Sequence, residues 1–97
     1  MPQYRAEVPP DVADLVRHLP PQLKRAIRAA LHALTSDPRA GEQLKDELAG
    51  YWKYRVRRYR IVYRVDGRTR TLRVMAVGHR RNVYEEVAGL LGGKADP

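Results

Sequence analysis

At Gly50 the hydrophobic period of this chain changes, and that change decides the kind of fold open to it. Before Gly50, apolar residues recur at helical spacing: Val12, Leu15, Val16 and Leu19 form one stripe, and Leu23, Ile27, Ala30, Leu31 and Leu34 form a second. After Gly50 side chains alternate, as in Trp52, Lys53, Tyr54, Arg55 and Val56, the pattern of a strand with one buried face. A chain of 97 residues that keeps the two patterns in separate halves reads as α+β, with helices laid on one face of a small, mostly antiparallel sheet.

The punctuation places the elements. Tyr4 to Val8 alternates as a short strand and stops at Pro9 and Pro10, after which Asp11 is placed to cap the first helix. Pro20 and Pro21 break that helix, and the second runs from Gln22 to Ser36 before Asp37 and Pro38. The two make a helical hairpin able to cover a sheet. Leu44 and Leu48 are expected to form a short turn at the edge of the core. Three strands follow: Trp52 to Val56, Tyr59 to Val65 and Thr69 to Val77, the last two joined at Asp66–Gly67, a strong hairpin signal. Asn82, with Glu85 three residues on, starts a terminal helix carrying Val83, Val87, Leu90 and Leu91. The expected order is β-α-α-β-β-β-α in a single domain over residues 1–97, with 92–97 a flexible tail.

Several function classes fall away on composition. The absence of cysteine removes disulfides and thiolate chemistry, and His18, His32 and His79 are too scattered for a metal site. No apolar run reaches the roughly 18 residues of a membrane span, and the residues after Met1 lack the pattern of a secretory leader. A cytoplasmic domain with no metal, no cofactor and no membrane partner is expected.

Charge is concentrated where the sequence alternates. Lys53 to Arg81 holds eleven Lys or Arg residues and one acid, Asp66, so this stretch is more positive than the +8 of the whole chain. Self-repulsion makes such a surface unfavourable unless it meets a polyanion. If Arg57 and Arg58 form a two-residue turn, Arg55 lies opposite Arg60 and Lys53 opposite Val62. A two-residue turn at Asp66–Gly67 then sets Arg60 opposite Arg73 and Val62 opposite Thr71. One face would carry Lys53, Arg55, Arg60, Arg64 and Arg73, and the other Trp52, Tyr54, Val56, Tyr59, Ile61, Tyr63, Leu72 and Val74. A row of like charges across adjacent strands breaks a local rule, and such breaks mark function. Arg57, Arg58, Arg68 and Arg70, at turns and margins, read as solvated background.

The order of elements and their motifs resemble the RelE/ParE superfamily of bacterial toxins. The matching residues are Leu19–Pro20, Asp37–Pro38, Leu44 to Gly50, Tyr54–Arg55–Val56, Tyr59 to Arg64, and Gly78 to Arg81 leading to Val83–Tyr84. The similarity spans roughly residues 4 to 91. It implies a ribosome-dependent endonuclease that enters the A site and cleaves messenger RNA, with Lys53, Arg55, Arg60, Arg80 and Tyr84 as candidate catalytic residues. It also implies a cognate antitoxin, ribosomal RNA as a contact, and operator DNA bound only through the antitoxin complex. Retention of the whole basic-plus-tyrosine set favours the RelE branch over ParE, whose members act on DNA gyrase.

The chemistry suits those residue types. Metal-free RNA cleavage uses the 2′-hydroxyl as nucleophile and needs a base, donors for charge on phosphorus, and an acid for the 5′-oxygen. Arginine stays charged and suits phosphate stabilisation, so Arg60 and Arg80 are the expected phosphate ligands. Lys53 is the candidate base, eased by surrounding cations. Arg55 could orient phosphate or assist the leaving oxygen, and Tyr84 could stack or move a proton. His79, expected within reach of the same face, is a reserve acid or base. Tyr51, Arg64, Arg73 and Arg81 are candidate RNA contacts. The competing classes are a gyrase-directed ParE-like inhibitor and a non-catalytic nucleic-acid-binding module.

Overall fold

A computed structural model describes residues 3–79 together with Tyr84 and Val87. Strand β1 (Arg5–Glu7) leads into helices α1 (Pro10–Arg17) and α2 (Pro21–Ser36). Strands β2 (Glu42–Gln43), β3 (Trp52–Val56), β4 (Tyr59–Asp66) and β5 (Thr71–His79) follow. The five strands form one mixed sheet in the order β1-β5-β4-β3-β2, in which only the β1–β5 pair is parallel. The α+β architecture with a helical hairpin on a largely antiparallel sheet is as the periodicity implied.

Both helices open on proline. Pro10 and Pro21 sit in the first turn of α1 and α2, where the missing N–H has no intrahelical partner to lose and the ring presets φ. The cap position of α1 is therefore Pro9 and not Asp11, and Asp11 instead lies in the first turn, where its charge meets the positive helix end. Val12 and Val16 of α1 and Ile27, Ala30 and Leu34 of α2 are buried against Val56, Ile61, Tyr63, Leu72, Val74 and Val77 of the sheet. Leu15 departs from its expected stripe and is 41% exposed.

The β3–β4 register is the one a two-residue turn requires, with Arg55 opposite Arg60 and Lys53 opposite Val62. The β4–β5 register is not. Asp66 pairs with Thr71 and Arg64 with Arg73, so the connection is four residues, Gly67 to Arg70. The Asp66 carboxylate accepts the backbone N–H groups of Arg68 at 3.0 Å and Thr69 at 3.3 Å, which stabilises this wider loop over the tight turn. Further along, the pairing shifts between Val62 and Tyr63, and Met75 is left as the extra residue of a bulge. In consequence Arg60 faces Gly78 instead of Arg73, and the three-arginine row does not form.

The bulge also lets both faces bury side chains. Val74 and Val77 point to the helical hairpin, while Ala76 joins Val62 and Val87 in a second cluster on the basic face. Leu44 and Leu48, the latter in a short turn at Asp46–Leu48, pack on that second cluster with Tyr51 and Tyr84. Tyr84 and Val87 are helical, in line with the expected terminal helix. Arg80, Arg81, the Asn82 cap, Val83, Leu90, Leu91 and the 92–97 tail lie outside the described residues.

Candidate functional site

Strand β2 is too short to show a period in sequence, yet it places an acid at the site. Glu42 pairs with Lys53 across β2–β3, and its carboxylate lies 3.4 Å from the Lys53 ammonium. The close neighbour of Lys53 is thus an acid, where the sequence suggested cations alone. On its other side Lys53 sits over the Tyr84 ring, with Nζ 5.9 Å from the ring centroid. The lysine side chain is one-third exposed and the Glu42 side chain largely exposed.

What holds Glu42 there is a buried tyrosine. Tyr63, fully buried on β4, donates its hydroxyl to the carbonyl of Pro38 at 2.7 Å and accepts the backbone N–H of Gly41. Burial, foremost, pushes the Tyr63 phenol up to about 12. Gly41 is required at its position, because a Cβ would run into the Lys53 carbonyl and the Tyr63 hydroxyl. The chain from Pro38 to Glu42 is therefore pressed onto the edge of β3, and the cleft between them, about 310 Å³, is lined by Gly41, Glu42, Lys53, Tyr54, Arg55 and Arg60.

Arg55 and Arg60 form the far wall. They occupy directly opposed positions on one face, an arrangement unfavourable by itself. Arg55 Nε donates to the Arg57 carbonyl at 3.2 Å, and an Arg60 guanidinium nitrogen donates to the Tyr59 carbonyl at 3.4 Å. Among the described residues no carboxylate lies within ion-pair distance of either guanidinium. Two anchored guanidinium groups on one cleft wall, without an acid partner among the described residues, have the chemistry that suits a phosphate.

The remaining sequence candidates separate by face and by distance. Tyr51 packs half-buried on the second cluster, on the basic face as expected. Arg64 and Arg73 share that face but sit four residues from Arg60 along β4, about 13 Å away. There Arg73 is taken up by Glu7 at 3.4 Å. His79 is not within reach of the cleft: it pairs with Tyr59, and both rings lie on the helical-hairpin side, 5.3 Å apart edge to face. Arg80 and Arg81 are outside the described residues. Glu42 is the residue that periodicity missed, since two-residue strands carry no alternation. Among the described residues no three His, Cys, Asp or Glu side chains gather to hold a metal, and no helix is long and apolar enough to cross a membrane.

This fold with this basic cleft defines a class, the small toxins of bacterial toxin–antitoxin pairs. A family model described as the ParE toxin of the type II toxin–antitoxin system parDE matches residues 4–84, and the chain belongs to that RelE/ParE family. Toxin RelG of Mycobacterium tuberculosis is 37% identical over 68 residues, covering 68% of this chain and 78% of RelG. A chain of the toxin–antitoxin complex RelBE2 from the same organism superposes with a TM-score of 0.72 at 32% identity, over 82% of this chain and 94% of that one. A substituted form of E. coli toxin RelE in the free state reaches a TM-score of 0.76 at 21% identity, over 93% and 99% of the two chains, a likeness of fold.

Proposed function

We propose that this toxin is a metal-independent endoribonuclease that cleaves messenger RNA in the ribosomal A site and so stops translation. The observation that carries the reading is the Arg55–Arg60 pair, unmatched by acid among the described residues and opening on the same cleft as Lys53 and Glu42. In the reaction the 2′-hydroxyl loses its proton as its oxygen attacks the adjacent phosphorus. The bond to the 5′-oxygen breaks, and that oxygen takes up a proton, leaving a 2′,3′-cyclic phosphate and a 5′-hydroxyl. Arg55 and Arg60 bind the phosphate and offset the charge that builds on it, with Arg80 as a further ligand by family resemblance. Among the described residues of the cleft, Lys53 and Glu42 can exchange protons with the nucleophile, and their ion pair orients each toward the other. Tyr84, stacked beneath Lys53, positions it and offers a ring to the substrate base.

The same reading supplies partners and place. A cognate antitoxin would cover the basic face and hold the toxin inactive. Its support is that relatives of the same fold are known as complexes, RelBE2 of M. tuberculosis and the intact RelBE of E. coli. Ribosomal RNA and messenger RNA would meet the same face, operator DNA would be bound through the antitoxin complex, and the protein would act in the cytoplasm. Primer extension on messenger RNA in a translation reaction, with and without ribosomes, tests the proposal. Cuts at A-site positions only when ribosomes are present are expected, and an intact message under both conditions would overturn it. A second reading, a gyrase-directed toxin, is favoured by the ParE name of the matching family model. It predicts loss of gyrase supercoiling activity with the message intact.

A further inference from the structure

The sheet carries a second concave surface, on the side away from the cleft. At the start of β4 and the end of β5 a crevice of about 270 Å³ is lined by Leu23, Arg57, Arg58, Tyr59 and His79. Leu23 of the first turns of α2 supplies the apolar floor, and the edge-to-face pair of Tyr59 and His79 supplies an aromatic wall. His79 is exposed and Tyr59 half-buried, so the helical hairpin leaves this wall open. Arg57 and Arg58 stand exposed on the rim, and among the described residues no carboxylate lies within ion-pair distance of either.

Charge alone would not separate this from a solvated turn; the concave aromatic lining does. Arg57 holds φ 56, in the left-handed region where asparagine or glycine rests without penalty and a long side chain does not. The chain keeps an arginine in this strained position, next to a second one, at the lip of an aromatic crevice. Strain by itself is no sign of use, since Arg70 in the β4–β5 loop holds φ 54; at Arg57 it coincides with a concave site. An apolar floor, an open aromatic wall and a two-guanidinium rim together match one ligand chemistry, an unstacked nucleotide with phosphates on both sides. A duplex is a poor occupant, since its bases are already stacked on each other.

We propose that this crevice is a second RNA-binding site, taking one base of a single strand against Tyr59 and His79 and its flanking phosphates on Arg57 and Arg58. The Val56–Tyr59 pair alone lies between the Arg57–Arg58 turn and the Arg55–Arg60 pair, so one strand can cross the hairpin tip and touch both sites. The crevice would then grip the message while the cleft holds the scissile phosphate. The choice of RNA as ligand rests on the reading of the cleft given above.

The test is binding without cleavage. A fluorescent 2′-O-methyl oligouridylate of roughly ten nucleotides lacks the nucleophile, and its anisotropy is followed against salt for the full chain. His79→Ala should weaken binding about tenfold with the salt dependence unchanged, because stacking carries no counterion release. Tyr59→Phe, which keeps the ring, should bind as the parent does. Arg57→Asn with Arg58→Gln should weaken binding and flatten the log–log salt slope by about 1.4, the share of two phosphates on a single strand. The control, Arg25→Gln with Arg28→Gln on the exposed side of α2, should stay within about twofold. No binding by the parent chain, normal binding by His79→Ala, or an equal loss in the control would each overturn the proposal. Failure of the cleavage reading is distinguishable, since it would leave this binding intact while ribosome-dependent cuts were missing.

Discussion

The hydroxyl of Tyr63 donates to the carbonyl of Pro38 at 2.7 Å across 25 positions of sequence, and this one buried bond fixes where the acid of the site stands. It clamps the segment before β2 onto the sheet, so that Glu42 arrives beside Lys53. Tyr63→Phe strands a buried carbonyl and the Gly41 N–H, and should cost about 1–3 kcal/mol in denaturant unfolding. Because the folded phenol lies near 12 against 10 for a free one, the folded state holds the proton more tightly. That stability is complete below pH 10 and is lost as pH rises from 10 through about 12. The phenylalanine variant should lack this alkaline decline.

Arg60→Gln should move activity and stability in opposite directions. Removing one of two opposed guanidinium groups relieves repulsion, raising stability by about 0.2–1 kcal/mol. Removing a phosphate ligand should lower ribosome-dependent cleavage by about 10²- to 10³-fold. Thermal unfolding and primer extension on the same preparation decide it, and a variant that is more stable and equally active would remove Arg60 from the mechanism.

Glu42→Gln separates two uses of the Lys53–Glu42 pair. An exposed pair contributes little to stability, about 1 kcal/mol at most, so the melting temperature should barely move. If Glu42 exchanges a proton with the nucleophile, cleavage should fall about 10²-fold or more and its rate should lose the acid limb of its pH dependence. An unchanged pH profile would leave Glu42 only the task of orienting Lys53.

Arg57→Asn should stabilise the fold by about 0.5–1 kcal/mol, since asparagine tolerates the left-handed backbone that arginine resists. Urea titration with an unchanged slope is the expected form of the gain.

Asp66→Asn addresses the β4–β5 loop. The N–H of Thr69 foremost, then that of Arg68, holds the Asp66 carboxyl below the usual carboxylate range. A lowered folded value means stability present above the unfolded value, 3.8, and lost as pH falls through the folded one. The asparagine variant should therefore be less stable at neutral pH and should show a shallower acid decline.

The sequence by itself determined the elements that depend on local geometry. Period 3.6 before Gly50 and period 2 after it set the helices, the strands and the inward face, and the two-residue turn at Arg57–Arg58 set the Arg55–Arg60 pairing. These follow from steric rules that act over a few residues. Tertiary structure decided the rest. The Asp66 loop and the Met75 bulge re-registered β5, which turned His79 away from the cleft, moved Arg73 to Glu7 and let Val62, Ala76 and Val87 build a second core. Glu42 reached Lys53 only because Gly41 and Tyr63 close a long-range contact. Such choices depend on which distant surfaces can be buried together without stranding a polar group, and no short window of sequence carries that information.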